Sequence, residues 1–408
     1  MALTDTLKSL TKSQWSAIWA SYLGWTLDAF DFFLLVFLKG AIAKEFHADD
    51  EAVSNLLFVT LAARPFGAFA FGWLADRYGR RPVLMVVILA FSAFSVASGV
   101  AWSLGALLAI RAAFGFCMGG EWGIGASLVM ESIPPKLRGP ISGLLQSGYP
   151  SGYFLAALIY YLLFDTIGWR GMFFIGVVPA FLVFLIRLHV EESPVHLVNA
   201  AKPHADPVTE IIRHWKIALY LVVLMTAFNF FSHGTQDQYP TFLQAQHKFD
   251  THTVGLLTAV MNIGAIVGGL AFGIWSETIG RKRAIIIASA LALPVMPLWA
   301  FASTPLLLGL GAFLLQVAVQ GAWGIVPVHL NELSPALARG LFPGFAYQLG
   351  NLIASRNAPF QAWIAKTHGG NYGFALALVA GVTAVFLVIW TWFGPERRDA
   401  DFIAEAKA

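Results

Sequence analysis

Twelve apolar runs, each close to the length of a bilayer-spanning helix, leave this chain few folds to choose from. A span needs about 20 apolar residues. Runs of that kind are read at 16–38, 53–75, 83–101, 105–130, 140–163, 171–189, 216–243, 253–275, 284–302, 305–330, 340–365 and 371–393. In hydrocarbon every backbone N–H and C=O must be bonded inside the protein, so such runs become helices. Charged residues are only 12% of the chain and hydrophobic ones 58%, where soluble domains carry roughly 25% charged. The expectation is an all-α, multi-pass protein in the lipid bilayer. A scattered net charge of +3 gives no footprint for nucleic acid. One cysteine, Cys117, excludes an internal disulfide, and neither a metal-ligand cluster nor a cofactor motif is found. Met1–Gln14 is polar and lacks the apolar core of a cleavable signal, so the first run is expected to remain as a span.

Lysine and arginine favour cytoplasmic loops. Of the 26, 18 fall on the side of the termini, five in the opposite loops and three inside spans. Both termini are therefore expected in the cytoplasm, with a bacterial inner (plasma) membrane as the setting. The one long connection, 190–215, contains Pro194, Pro203 and Pro207. It divides the chain into 1–189 and 216–408, six spans each. The halves repeat at a constant offset: Gly72, Asp76, Gly79 and Arg80 return as Gly273, Glu277, Gly280 and Arg281, and Glu131, Arg138 and Gly139 as Glu332, Arg339 and Gly340. In the same register Asp28 falls on Asn229 and Asp31 on Ser232. Two six-helix bundles related in this way are what alternating-access carriers are built from.

The sequence from Gly72 to Arg81, G-W-L-A-D-R-Y-G-R-R, echoed after the eighth span, resembles the major facilitator superfamily. That resemblance covers the whole chain. It implies twelve helices in two pseudo-symmetric bundles around a central cavity, rocking between two faces. Asp76 with Arg80, Glu277 with Arg281, Glu131 with Arg138 and Glu332 with Arg339 are expected to gate it as pairs at the cytoplasmic ends, with Gly79 and Gly280 making the turns.

Charges inside spans are costly and face partners or water. With a rise of about 1.5 Å per residue, Asp28 and Arg64 come level near the midplane. Asp31 and Arg111 match in the outer third, and His233 and Arg356 in the outer half. Glu121 lies nearer the cytoplasm. Asp28 and Asp31, three apart, share a helix face. Asp31–Arg111 reads as an ion pair. Arg356 and Arg64 are the two candidates for a bound carboxylate, which the planar guanidinium grips with two parallel hydrogen bonds.

From Asn229 to Thr241 the polar residues Asn229, His233, Asp237 and Thr241 recur every four positions, with Gln236 beside them, forming one helix stripe. This stretch fits N-x-x-[ST]-H-x-[ST]-Q-D-x-x-x-T. It resembles the seventh-span motif of the Jen-type lactate/pyruvate permeases, within the sialate:proton symporter family. The resemblance implies symport of a short monocarboxylate with a proton, and gives Asn229, His233 and Asp237 roles in recognition and coupling. The alternatives are a sialic-acid symporter, which would carry an extra pair of spans, and an aromatic-acid symporter. The aromatic-acid family's first-span D-G-x-D is approached by Asp28-Ala29-Phe30-Asp31.

Taken together, the expectation is a monomeric proton-coupled carrier of a small organic anion. The carboxylate would sit on Arg356 or Arg64, with Asn229, His233 and Gln236 on the hydroxyl or keto oxygen. The proton would sit on His233–Asp237 or on Asp28, Asp31 or Glu121. Trp25, Tyr149, Tyr153, Trp323 and Tyr347 could shape the pocket. No nucleophile–base pair suggests an enzyme, and residues 394–408 are too short for a sensor's signalling extension.

Overall fold

A computed structural model describes residues 3–200 and 206–407; part of the 190–215 linker, including Pro203, lies outside the described residues. The spans are α1 (Lys12–Phe46), α2 (Asp50–Tyr78), α3 (Arg80–Gly99) and α4 (Leu104–Ser132). Next, α5 joins Arg138–Gln146 to the helix beginning at Gly148, and α6 ends in Val178–His189. In the second half α7 is Trp215–Gln236 continued by Tyr239–Ala245, α8 is Thr251–Ile279 and α9 is Arg281–Phe301. Last come α10 (Pro305–Trp323 with Val326–Leu333), α11 (Phe342–Ala354 with Asn357–Thr367) and α12 (Tyr372–Phe393).

By length and composition, nine stretches among the described residues can cross a membrane. One of them, Pro135–Val183, is two spans in line. Gly168 divides it, with φ 64°, a left-handed conformation that costs glycine little. The acid-bearing α1 and the broken α11 complete the twelve. Helix α1 runs well beyond its apolar stretch at both ends. At its start Thr11 and Gln14 form a reciprocal capping box, which satisfies first-turn N–H groups.

Within each half the same helices pack: α2 on α4 and α8 on α10, α3 on α4 and α9 on α10, α1 on α5 and α7 on α11. The halves meet where α2 packs on α11 and α5 on α8. Glycines allow this approach. A Cβ on Gly123 of α4 would lie 2.6 Å from the Cα of Gly344 in α11, far inside van der Waals contact.

Hydrogen bonds between the halves, among the described residues, all lie toward the face that carries the termini. Asp76 accepts from the backbone N–H of Gly340 (2.8 Å) and Leu341 (2.9 Å), and Glu277 accepts from Gly139 N (2.6 Å). Ser127 donates to Arg339 O, and Ser142 to Gly324 O, both at 2.7 Å. Toward the far face no hydrogen bond, ion pair or ring contact joins the halves among the described residues. The protein is closed on the terminal face and parted on the other.

Candidate functional site

At mid-depth five rings from both halves close the floor of the gap. Trp25 stacks on Tyr149 (5.6 Å between centroids), and Tyr347 meets Trp122 (4.7 Å), Trp323 (5.5 Å) and Trp25 (6.3 Å). Tyr153 instead packs with Phe33 and Phe37.

Beside this floor, on the first half, sit three buried ionisable groups. Asp28 is 1% exposed, Glu121 1% and Arg64 3%. Neither carboxyl has a hydrogen-bond partner at either oxygen, and Arg64 Nε has none. Arg64 Nη2 donates to the thioether of Met118 (2.6 Å), and its guanidinium lies 5.3 Å from the Phe32 ring centre. The three groups are within electrostatic reach of one another without a direct ion pair. Glu121 reaches from α4 to α1, where its Oε1 fills the space a Cβ on Gly24 would occupy. A cavity of about 10 Å³, lined by Ser21, Trp25, Glu121, Trp122 and Gly125 among others, adjoins it; that is about one water's worth of room. Buried polar groups are normally bonded.

Asp31 does not share that freedom. It takes an ion pair from Arg111 (2.9 Å) and a hydrogen bond from Ser95.

On the second half, His233 Nδ1 meets Asp237 (3.2 Å) and its Nε2 meets Asn351 Oδ1 of α11 (3.1 Å). The side chains are 28% and 40% exposed. They face the gap, since Arg64 is within electrostatic reach of His233 and Tyr149 of Asp237. Gln236 donates to Ser232 (3.2 Å) and Gln316 (3.0 Å), and Gln316 donates to Thr235 (3.0 Å). Asn229 is 1% exposed and donates to Met225 O in its own helix. Thr241 lies past the turn at Asp237–Gln238, in the continuation of α7.

Arg356 is not brought to this group. It is exposed, at the break in α11, and has no ion pair among the described residues. Five helical steps place it about 140° around the axis from Asn351. His233, expected level with it, pairs elsewhere.

The gate residues meet in an arrangement that differs from the expected pairs. Arg80 binds both Asp76 (2.8 Å) and Glu131 (3.1 Å), and Arg281 binds both Glu277 (2.8 Å) and Glu332 (3.0 Å). Glu131–Arg138 and Glu332–Arg339 therefore do not form, because each acid is already taken by the arginine that starts α3 or α9. Arg138 turns to Met130 O, Ala400 O and the Phe402 ring, and Arg339 to Glu405 (2.8 Å) and that same ring. Gly79 and Gly280 make the preceding turns with φ 109° and 94°. Glu192 and Glu396 cap the first N–H groups of α3 and α9, a symmetry hidden in sequence because their spacing departs from the repeat offset.

The family model described as "Major Facilitator Superfamily" matches residues 15–243. The chain belongs to that superfamily. A second model, "Sugar (and other) transporter", matches residues 214–398. Among curated relatives, a "Carboxylic acid transporter protein homolog" of Saccharomyces cerevisiae is 27% identical over 97% of this chain and 70% of its own length. The "Sialic acid transporter NanX" of Escherichia coli is 29% identical, covering 95% of both chains. A "Probable 4-methylmuconolactone transporter" of Cupriavidus pinatubonensis is 30% identical over 96% of this chain and 92% of its own. Among solved structures, the superfamily's proton:xylose symporter XylE superposes with a TM-score of 0.80 at 18% identity, covering 96% of this chain and 98% of the other. This superfamily member is thus an integral membrane transporter of small organic molecules, not an enzyme. The Gln316, Gln320, Gln348 and Asn351 amides that bond to the α7 stripe or extend it, and Trp122 of the floor, were not singled out in the sequence, where no charge or repeat marks them.

Proposed function

We propose that the protein is a proton-coupled carrier of short monocarboxylates of the lactate and pyruvate class, working by alternating access. The observation that carries this reading is Arg64, a buried guanidinium with no carboxylate bonded to it, flanked by two carboxyls that are likewise unbonded. Each carboxyl that takes a proton makes room for one anionic charge beside Arg64. Carrying an uncancelled charge against 100 mV would cost about 2.3 kcal/mol. Arg64 grips the substrate carboxylate, His233 and Gln236 face its hydroxyl or keto oxygen, and Asn229 stiffens α7 behind them. Asp28 and Glu121 hold protons in the first half, and His233–Asp237 does so in the second. Asp31 serves Arg111, and Arg356 stands outside the carboxylate site. The seventh-span pattern and the relatives named for carboxylic and sialic acids support the assignment.

In this reading residues 1–189 and 216–408 rock as units about the 190–215 linker, in a monomer of the bacterial inner membrane. The terminal face is cytoplasmic. Asp76, Arg80, Glu131, Glu277, Arg281 and Glu332, with Arg138 and Arg339, hold that face shut. The aromatic floor favours a second reading, an aromatic or sialic acid in place of lactate.

The test is uptake of labelled lactate into proteoliposomes under an imposed pH gradient, with pyruvate, acetate, benzoate and sialate as competitors. Inward protons should drive accumulation. Arg64→Lys should raise KM about 10- to 150-fold, the worth of a lost charge-assisted bond of about 1.5–3 kcal/mol. Uptake indifferent to the gradient removes proton coupling, and an unchanged KM removes Arg64 from the site.

A further inference from the structure

His233 is one end of a hydrogen-bonded row that continues past the polar stripe of α7. Asp237 lies on its Nδ1 side, and Asn351 Oδ1 on its Nε2 side at 3.1 Å. Asn351 Nδ2 in turn donates to Gln348 Oε1 at 3.5 Å. Asn351 and Gln348 are 6% and 1% exposed, and Gln348 Nε2 makes no hydrogen bond among the described residues. Gln348 follows Tyr347, which forms the floor and lies within electrostatic reach of Arg64 and Asp28. The row therefore runs from the His233–Asp237 pair to the level of the Arg64 cluster.

The direction of each bond follows from which end of each amide faces its neighbour. A carbonyl oxygen only accepts and an amide nitrogen only donates. With Asn351 Oδ1 against it, Nε2 must carry a hydrogen. Nδ1 then faces Asp237 either as N–H to a carboxylate or as a lone pair to a carboxylic acid. Both descriptions put one extra proton on the pair. Remove that proton, and Nδ1–H stays on Asp237 while Nε2 becomes an acceptor. Asn351 must then present Nδ2, which turns its oxygen toward Gln348. Gln348 answers with Nε2, and its oxygen becomes the free end. Exchanging the ends of a carboxamide changes no volume, so the row can reverse within the packed helices.

Building on the proposed symport of a carboxylate, we propose that Asn351 and Gln348 are positioning residues that relay the protonation of His233–Asp237 to the substrate. A proton on the pair turns the free end of Gln348 into an N–H donor, and its loss turns that end into a carbonyl. A carboxylate only accepts, so it is welcomed in the first case and repelled in the second. The proton thus binds before the anion, on a pair that does not itself touch the carboxylate. The charged or titratable groups facing His233 are Asp237 on α7 and Arg64 on α2, with Tyr149 on α5 and Tyr347 on α11 at the floor. Helix α10 contributes Gln316 and Gln320, and α12 meets α7 through Val379, none of them titratable.

The experiment measures KM and kcat for lactate, pyruvate and benzoate in proteoliposomes of the full chain, from about pH 5.5 to about 8.5, a range that spans imidazole's ordinary 6.5. Wild-type KM should fall on acidification, by up to about tenfold per pH unit for each linked proton. Gln348→Met keeps the shape and removes both ends of the relay. Its KM should be about three- to tenfold above wild type in acid, should change less steeply with pH because only the Asp28 and Glu121 protons remain linked, and should fall below wild type at the alkaline limit. Asn351→Asp accepts on both sides, so it fixes the Gln348 carbonyl outward and should keep KM high throughout. A misfolded variant lowers uptake at every pH and cannot produce the crossing. If wild-type KM follows pH and both variants keep its slope, the relay is wrong while the symport reading stands. If wild type takes up none of the acids, or does so without regard to pH, the symport reading falls and the relay falls with it.

Discussion

Replacing Asp76 by asparagine should open the terminal face. The Asp76 side chain is 1% exposed, pairs with Arg80 at 2.8 Å, and accepts the two N–H groups where α11 begins, in the opposite half. Hydrogen bonds to a charged group contribute about 1.5–3 kcal/mol each, and neutral ones about 0.5–1.5. Asparagine keeps one acceptor and turns an N–H₂ toward the other N–H. The carboxylate's attraction to a helix start, about 0.3–1 kcal/mol, is lost as well. Some of this is returned, because Arg80 keeps Glu131 at 3.1 Å and a buried negative charge disappears. The net loss is about 2–3 kcal/mol, which moves the closed-to-open ratio about 30- to 150-fold. Spin labels at Lys136→Cys and Arg283→Cys, both exposed and one in each half, read that ratio as a distance distribution in a Cys117→Ser background. Asp76→Asn should shift the population to longer distances, and Glu45→Gln on the far face should not. An unchanged distribution for Asp76→Asn would show that carboxylate capping of α11 does not hold the halves together.

Three further outcomes follow from the same geometry. Gly123→Ala should prevent full closure and Gly344→Ala only weaken it, since their Cβ atoms would lie 2.6 Å and 3.1 Å from the facing Cα; the same spin labels rank the two. His196 stands 3.3 Å from Arg80 Nη1, and burial, then the nearby guanidinium, hold its pKa below the ordinary value. Opening lets it return toward about 6.5, so the open state binds more protons, and closure weakens as pH on the terminal face falls below that value. His196→Asn should abolish this dependence of the spin-label distances. Asp31→Asn leaves Arg111 buried without its acid, a loss of about 3–5 kcal/mol; the melting temperature should drop sharply, while any surviving transport keeps its proton dependence.

The architecture was legible because lipid imposes one rule on every span, and a repeated apolar length survives any choice of apolar residue. The gate was legible in its members, since Asp76, Arg80, Glu131 and their counterparts return at one offset. Its pairing was not. Whether Glu131 meets Arg80 or Arg138 depends on how the ends of α3, α4 and α5 converge, and only Asp76–Arg80 and its counterpart Glu277–Arg281 are local, i to i+4 relations. At the site, His233–Asp237 could be read from helical spacing and Asp31–Arg111 from depth. Depth alone also matched His233 with Arg356, because it carries no information about direction around the helix. Gln348 and Asn351 escaped for a different reason. An uncharged amide in a span is common enough that only its neighbours reveal it.

The repeat also explains how the proposed labour is divided between the halves. The position that is Asp28 in α1 is Asn229 in α7, and Asp31 becomes Ser232. The first half therefore keeps the buried ionisable groups Asp28, Arg64, Asp31, Arg111 and Glu121. The second offers amides and hydroxyls around a single His233–Asp237 pair. Charge gives attraction at a distance, whereas amides read shape and direction at contact. A carboxylate drawn to Arg64 would thus be sorted by what the facing helices can donate or accept. Lactate and acetate share the carboxylate and differ only in the hydroxyl-bearing carbon, so exchanging Gln236 for leucine should narrow the preference between them with little change for acetate. Equal losses for both acids would place Gln236 in packing and return substrate choice to the first half.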